Sequence, residues 1–332
     1  MELENKGLAS YLDRMRASDG AAIRYGVWRS DRGVARGTVV LLSGRNEFLE
    51  KYAETIGDLC ARGWDVFSLD WRGQGLSTRM LPNRQKGYIM DYEFYIGDLG
   101  RFLRKVVYPN AVPPVTGLAF SMGAHILLRY IARHAEGFSR VALISPMIDI
   151  NTGLFPVTLA RQWTRLAVRS GGAGVYAPGQ GDYRPPTPSS FFGNPLTADA
   201  ERYKRPHRII ARNPDLALGG VTYGWLRATF DSIDRMAAPG FAASISTPIL
   251  IVSSGDDRVV SVSAQVSLHR ALPRCRFVLI PGARHELLME QDRFRAVFWR
   301  AFDGFMSDLS VERRWVGRRH SAPMASRASQ RS

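Results

Sequence analysis

Cysteine is nearly absent. Cys60 and Cys275 are the two in 332 residues, and with no Cys-x-x-Cys spacing both read as unpaired thiols, so neither a disulfide framework nor a thiolate metal site is expected. Long apolar runs are missing too. No stretch approaches the roughly 18 consecutive apolar residues of a bilayer-spanning helix. The first residues, Met1 to Gly7, lack the basic start and apolar centre of a secretory signal, and a cytosolic protein is expected. Acidic residues are scarce beside basic ones, 30 against 45, for a net charge of +15. That surplus favours anionic lipid headgroups, nucleic acid or acidic partners and does not bear on the fold. No recognised nucleic-acid motif accompanies it, so nucleic acid is not an expected partner.

What is present is enough apolar material, 45% of the chain, for a substantial core of one large or two small domains. Polarity alternates from Leu8 to Trp28 around Asp19-Gly20, which predicts an opening β-hairpin. A short continuous apolar run at 37–42 predicts a strand buried on both faces, and further strands are predicted at 64–70, in the run ending at Phe120, and at 140–144, 248–253 and 275–280. Helical patterns lie between them at 48–61, 91–107, 122–134, 261–271 and 291–306. This alternation predicts an α/β fold whose sheet is mostly parallel and flanked by helices. The rhythm breaks at 149–245, rich in Gly, Pro, Arg and aromatics without a convincing strand, and this segment reads as a mainly helical cap over the ligand-entry edge. The expected organisation is core 1–148, cap 149–245, core 246–308 and a basic, disordered tail 309–332. Within the cap, Leu159, Trp163 and Leu166 share one helical face and Arg161, Arg165 and Arg169 another. The common explanation is a helix half-buried on its own domain; the alternative is a surface helix touching lipid headgroups. Trp315 in the tail could act as an interfacial anchor in a polybasic segment.

The chemistry centres on Ser121, where a strand-like run ending at Phe120 gives way to a helical pattern within two residues. This is the sequence of a nucleophile elbow, with Gly123 in place and Ala119 where a first glycine is usual. A serine nucleophile needs an imidazole to take its proton and a carboxylate to orient that imidazole. Ser121, Asp257 and His285 follow one another in the order of α/β-hydrolases, each after a predicted strand. Asp256 and Asp149 compete for the acid role, with Asp257 preferred because it directly precedes Arg258-Val-Val260. His125, His134, His207, His269 and His320 are weaker candidates for the base. Two backbone N–H groups should hold the oxyanion, those of Met122 and Arg45.

Several segments together resemble the monoacylglycerol lipase and bacterial lysophospholipase branch of the α/β-hydrolases. They are Ser43-Gly-Arg-Asn-Glu47 through Lys51-Tyr52, the turn Leu69 to Ser77, Ala119 to Gly123, Asp257 to Val260, Gly282 to Glu286 and the cap stretch Arg212 to Trp225. The similarity is nearer to the lysophospholipases and runs from Asp19 to Met306. Ser43 stands where many relatives have His, and Ala119-Phe120 where Gly-His is usual; neither removes a group the mechanism requires. Asp70, within the family's turn, is expected to be structural. The resemblance implies a serine carboxylic-ester hydrolase that releases a fatty acid from a lysophospholipid, with no metal or other cofactor. Alternatives are a monoacylglycerol lipase or general carboxylesterase, a serine aminopeptidase of the same fold, or a non-catalytic lipid-binding relative. Peripheral contact with an anionic membrane surface on the inner face is a further expectation.

Overall fold

The computed structural model describes residues 10–151 and 156–308; the tail 309–332 and Trp315 lie outside the described residues. Eight strands form one sheet: β1 (Ser10–Arg16), β2 (Ala22–Trp28), β3 (Gly37–Leu42), β4 (Trp64–Leu69), β5 (Val115–Phe120), β6 (Arg140–Ile144), β7 (Ile249–Ser254) and β8 (Cys275–Ile280). Their order is β1-β2-β4-β3-β5-β6-β7-β8. The β1–β2 and β2–β4 pairings are antiparallel and the others parallel. The architecture is the expected α/β-hydrolase fold.

The continuous apolar runs work by alternation. Val40 and Leu42 of β3 and Val141 and Leu143 of β6 face one buried layer, and Val39, Leu41, Ala142 and Ile144 face the other. Helices α1 (Ala53–Ala61) and α2 (Glu93–Phe102) pack on opposite sides of the sheet. Helix α3 (Met122–Ile131) joins α2, while the closing helix (Asp292–Met306) joins α1 through Phe298 and Phe302. Two predicted helices are less regular than expected. The first opens with a 3₁₀ turn over Leu49–Tyr52, and α2 passes into a π turn over Leu103–Val107. Both unpaired thiols are free, with Cys60 buried.

Between β6 and β7 stand three helices, α4 (Val157–Arg169), α5 (Ala200–Arg212) and α6 (Tyr223–Ala237). They precede α7 (Val262–Ala271) and α8, the closing helix. The segment's one described β contact within itself is the isolated bridge Tyr176–Thr222. The common explanation for the α4 pattern does not hold. Leu159, Trp163 and Leu166 are 49%, 57% and 59% exposed, and Thr164 is the helix's one buried residue. The covered side of α4 carries Ala160, Arg161, Thr164, Ala167 and Val168, and towards α6 Arg161 pairs with Asp234 while the Trp163 indole donates to the Tyr223 hydroxyl at its edge.

Helix α6 is fastened to α3 by buried polar contacts. His125 Nδ1 lies 2.8 Å from the Met147 carbonyl oxygen and Nε2 2.6 Å from Ser232 Oγ. Arg129 also donates to Ser232 Oγ at 2.8 Å and pairs with Glu93, which receives Arg133 and Arg235 as well. His125 thus joins α3 to α6. Burial carries its pKa from 6.5 down to about 4, with the Met147 hydrogen bond opposing the shift. Since the folded pKa is depressed, folding favours the neutral ring. The stabilisation is complete above pH 6.5 and is lost as pH falls through 4. Protonation would put a second N–H against a serine oxygen that already accepts from Arg129. Urea unfolding at pH 7 and pH 4 should therefore show a loss for the wild type that exceeds the loss for His125→Asn by about 3 kcal/mol at most. Parallel losses would refute this role for His125.

Candidate active site

Ser121 sits between β5 and α3 at φ 50° and ψ −113°, a left-handed backbone that costs a non-glycine residue about 1–3 kcal/mol. The surroundings over-determine it. Its N–H donates to the Ile144 carbonyl, and its own carbonyl accepts from Met147 and His125. Helix α3 starts against the end of β3: a Cβ on Gly123 would lie 2.4 Å from the Ser43 oxygen and 2.6 Å from that of Leu42. Glycine is obligatory there. Ala119 tolerates its methyl because it lies in the ladder between Leu42 and Leu143 and packs into the buried layer beneath.

The loops after β7 and β8 bring the other two residues to the serine. His285 Nε2 is 3.0 Å from Ser121 Oγ, and His285 Nδ1 is 2.7 Å from Asp257 Oδ2. The second Asp257 oxygen accepts the N–H groups of Val259 and Val260 at 2.8 and 3.0 Å. That carboxylate is thus fixed on both oxygens, and its hydrogen bond from Nδ1–H leaves Nε2 free to accept the serine proton. Phe120 packs on the imidazole with ring centroids 4.9 Å apart. The competing acids are elsewhere. Asp256 is exposed, and Asp149 lines a separate cavity of about 580 Å³ with Met236 and Leu268. Of the weaker histidines, His125 joins α3 to α6, and His207 bonds to the Tyr183 hydroxyl at 2.8 Å. His134 stacks on Tyr130 and His269 on Phe277; His320 lies outside the described residues.

The loop after β3 is held from several sides. The Gly44 N–H is taken by the Glu47 carboxylate, and the Asn46 N–H by Gln74 Oε1 at 3.2 Å. Among the described residues no acceptor is assigned to the N–H of Arg45 or Met122. The turn after β4 supplies the scaffold: the Trp71 indole donates to the Ser43 carbonyl and the Gln74 amide to that of Gly44, both at 2.8 Å. Asp70 accepts the N–H groups of Leu49 and Leu76 and pairs with Arg24. Gly75, at φ +54°, leaves no room for a Cβ beside that carboxylate.

A cavity of about 460 Å³ opens above Ser121. Its apolar wall includes Phe48, Met147, Ile150, Ile210, Trp225 and Val260, and its charged side chains are Arg45, Lys51, Arg202 and Glu286. Lys51 bridges Glu47 and Glu286, both at 2.8 Å, tying the loop after β3 to the residue following His285. The sequence marks half of this bridge, since Glu47 and Lys51 stand four apart; Glu286 is joined only by the fold. Among the described residues, no cluster of three or more His, Cys, Asp or Glu side chains is placed to hold a metal ion.

A family model described as serine aminopeptidase, S33 matches residues 33–292. The chain belongs to this α/β-hydrolase family. Among curated members of similar sequence, lysophospholipase L2 of Escherichia coli strain K12 is 31% identical over 302 residues, covering 88% of this chain and 83% of that protein. The probable lysophospholipase L2 of Haemophilus influenzae is 30% identical over 273 residues, covering 82% and 84%. In three dimensions, a soluble variant of monoglyceride lipase from Saccharomyces cerevisiae, solved with a substrate analogue, superposes with a TM-score of 0.72 at 19% identity, covering 92% of this chain and 97% of that one. Family members with this fold include carboxylic-ester hydrolases, and this chain is one of them. Asp257→Asn should lower kcat by about 10⁴, as loss of the correct imidazole tautomer does in serine hydrolases. Asp256→Asn and Asp149→Asn should stay near the wild-type rate in the same ester assay, and a comparable loss in either would reassign the acid.

Proposed function

We propose that this protein is a lysophospholipase in which Ser121, His285 and Asp257 form the catalytic triad. The observation that carries the reading is the hydrogen-bonded chain Asp257–His285–Ser121 opening into a cavity with an apolar wall and a charged side. Ser121 Oγ bonds to the acyl carbon while its proton passes to His285 Nε2. The N–H groups of Met122 and Arg45 hold the oxyanion. The glycerol oxygen leaves with the proton from His285, and water, deprotonated by the same imidazole, cleaves the acyl-serine to release the fatty acid and restore Ser121. The relatives named lysophospholipase L2 support the substrate class.

The family description also names an aminopeptidase, whose substrate amine calls for a free carboxylate in the pocket. Among the described residues lining this cavity the one acid is Glu286, already paired with Lys51, and this favours the lipid ester. None of the described helices is long and apolar enough to cross a membrane. The exposed Leu159, Trp163 and Leu166 of α4 and the surplus of arginine support peripheral contact with an anionic bilayer from the cytosol.

A serine-directed fluorophosphonate should label the wild type and not Ser121→Ala; equal labelling of both would sink the catalytic assignment. In a release assay across lysophospholipids, monoacylglycerols, short p-nitrophenyl esters and aminoacyl amides, the lysophospholipids should give the highest kcat/KM, and best turnover of the amides would overturn the substrate class. Pelleting with anionic vesicles should drop for Trp163→Ser, whereas undiminished pelleting would exclude α4 as the contact.

A further inference from the structure

Three cationic side chains line the cavity above Ser121, and they differ in how their charge is met. Arg202 is paired with Glu54, Asp199 and Asp292. Lys51 is paired with Glu47 and Glu286. Arg45 has no carboxylate within ion-pair distance among the described residues. Its guanidinium lies over the Trp225 ring, 5.6 Å from the centroid, with one donor 3.3 Å from the Gly219 carbonyl oxygen. A Cβ on Gly87 would stand 3.3 Å from Arg45 Nη1, so this slot is shaped by the absence of a side chain there. Burial lowers the guanidinium pKa, with only Tyr95 and Tyr92 opposing the shift. A half-buried arginine that faces a ligand cavity, keeps most of its donor fork open and lacks a counter-charge is suited to an anionic group brought by the ligand.

We propose that the Arg45 side chain is the receptor for the phosphate of a glycerophospholipid substrate. This rests on the lysophospholipase reading and names the residue that would select the headgroup. The position along the chain gives the argument its reach. Arg45 is also the residue whose backbone N–H is assigned to the oxyanion. As many covalent bonds separate its amide nitrogen from its guanidinium carbon as separate the acyl carbon from the phosphorus of a 1-acyl lysophospholipid. One residue therefore spans the two features that distinguish this substrate from a monoacylglycerol: the ester at one end of the glycerol and the phosphate at the other. The Trp225 face orients the planar guanidinium without neutralising it.

The test compares a lysophospholipid and a monoacylglycerol of the same acyl chain with wild-type protein, Arg45→Gln and Arg45→Lys. In Arg45→Gln the ratio of kcat/KM for the phosphate-bearing lipid to that for the neutral one should fall by about 30-fold or more. Arg45→Lys, which keeps the charge and loses the fork, should fall between. Equal losses on both lipids would make Arg45 a prop between the β3 loop and α6 and overturn the proposal. Glycerol 3-phosphate should compete with the monoacylglycerol in the wild type and about tenfold more weakly in Arg45→Gln. Inorganic phosphate inhibiting as strongly, with the lipid ratio preserved in the variant, would assign a free-anion site and overturn the headgroup role. Should the wild type hydrolyse neither lipid, the lysophospholipase reading fails by itself. Arg45 is then judged by calorimetric binding of glycerol 3-phosphate: binding lost in Arg45→Gln upholds the phosphate site, and absence of binding in the wild type removes it.

Discussion

The contact on which the site depends is the approach of α3 to the end of β3, where Gly123 lies against the carbonyls of Ser43 and Leu42. It sets how sharply the chain turns at Ser121 and where the first amides of α3 point. It also places the β3 loop beside Ser121. Any side chain at 123 would push helix and strand apart, and Ser121 could then not keep its left-handed backbone. The turn after β4 completes the arrangement from the other side. Asp70, Trp71 and Gln74 hold the β3 loop through its carbonyls and neighbouring amides, so that its conformation is imposed by two adjacent strands.

What was legible in the sequence was whatever depends on local pattern. A strand buried on both faces reads as a continuous apolar run, as β3 does, and the other predicted runs fell on β4 to β8, of which β8 is a partly exposed edge strand. The order Ser121, Asp257, His285 was readable because each follows a strand, and the carboxyl ends of parallel strands converge. The preference for Asp257 over Asp256 agrees with the geometry, but its physical basis was hidden: Asp257 is locked by the amides of Val259 and Val260, a turn that composition does not announce. Partnerships across long separations were not legible. Nothing near His125 predicts Ser232, and nothing near Lys51 predicts Glu286. Helix α4 misled for a different reason. Its amphipathic pattern is real, but periodicity shows that a helix has an apolar face without showing whether protein covers it.

The arginine surplus has structural uses. Much of it fastens the cap. Burial alone would raise the Glu54 carboxyl, yet hydrogen bonds from Arg202 and Arg205 of α5 carry it down to about 2. Glu93 is gripped by Arg129 of α3, by Arg133 in the turn that follows it and by Arg235 from α6. These contacts act beside the apolar face of α6, where Trp225, Ala228 and Met236 join the buried layer of α2 and α3. Arg24 and Arg72 are instead paired inside the core, the first with Glu50 and Asp70 and the second with Asp98 and Asp19.

Lys51 carries a consequence for how this scaffold can change. Because one ammonium holds both Glu47 and Glu286, the loop after β3 and the loop that carries His285 form a single mechanical unit. A graft that exchanged either loop alone would strand a buried charge, so segments 43–52 and 282–286 are expected to be inherited, and to be transplanted, as a set.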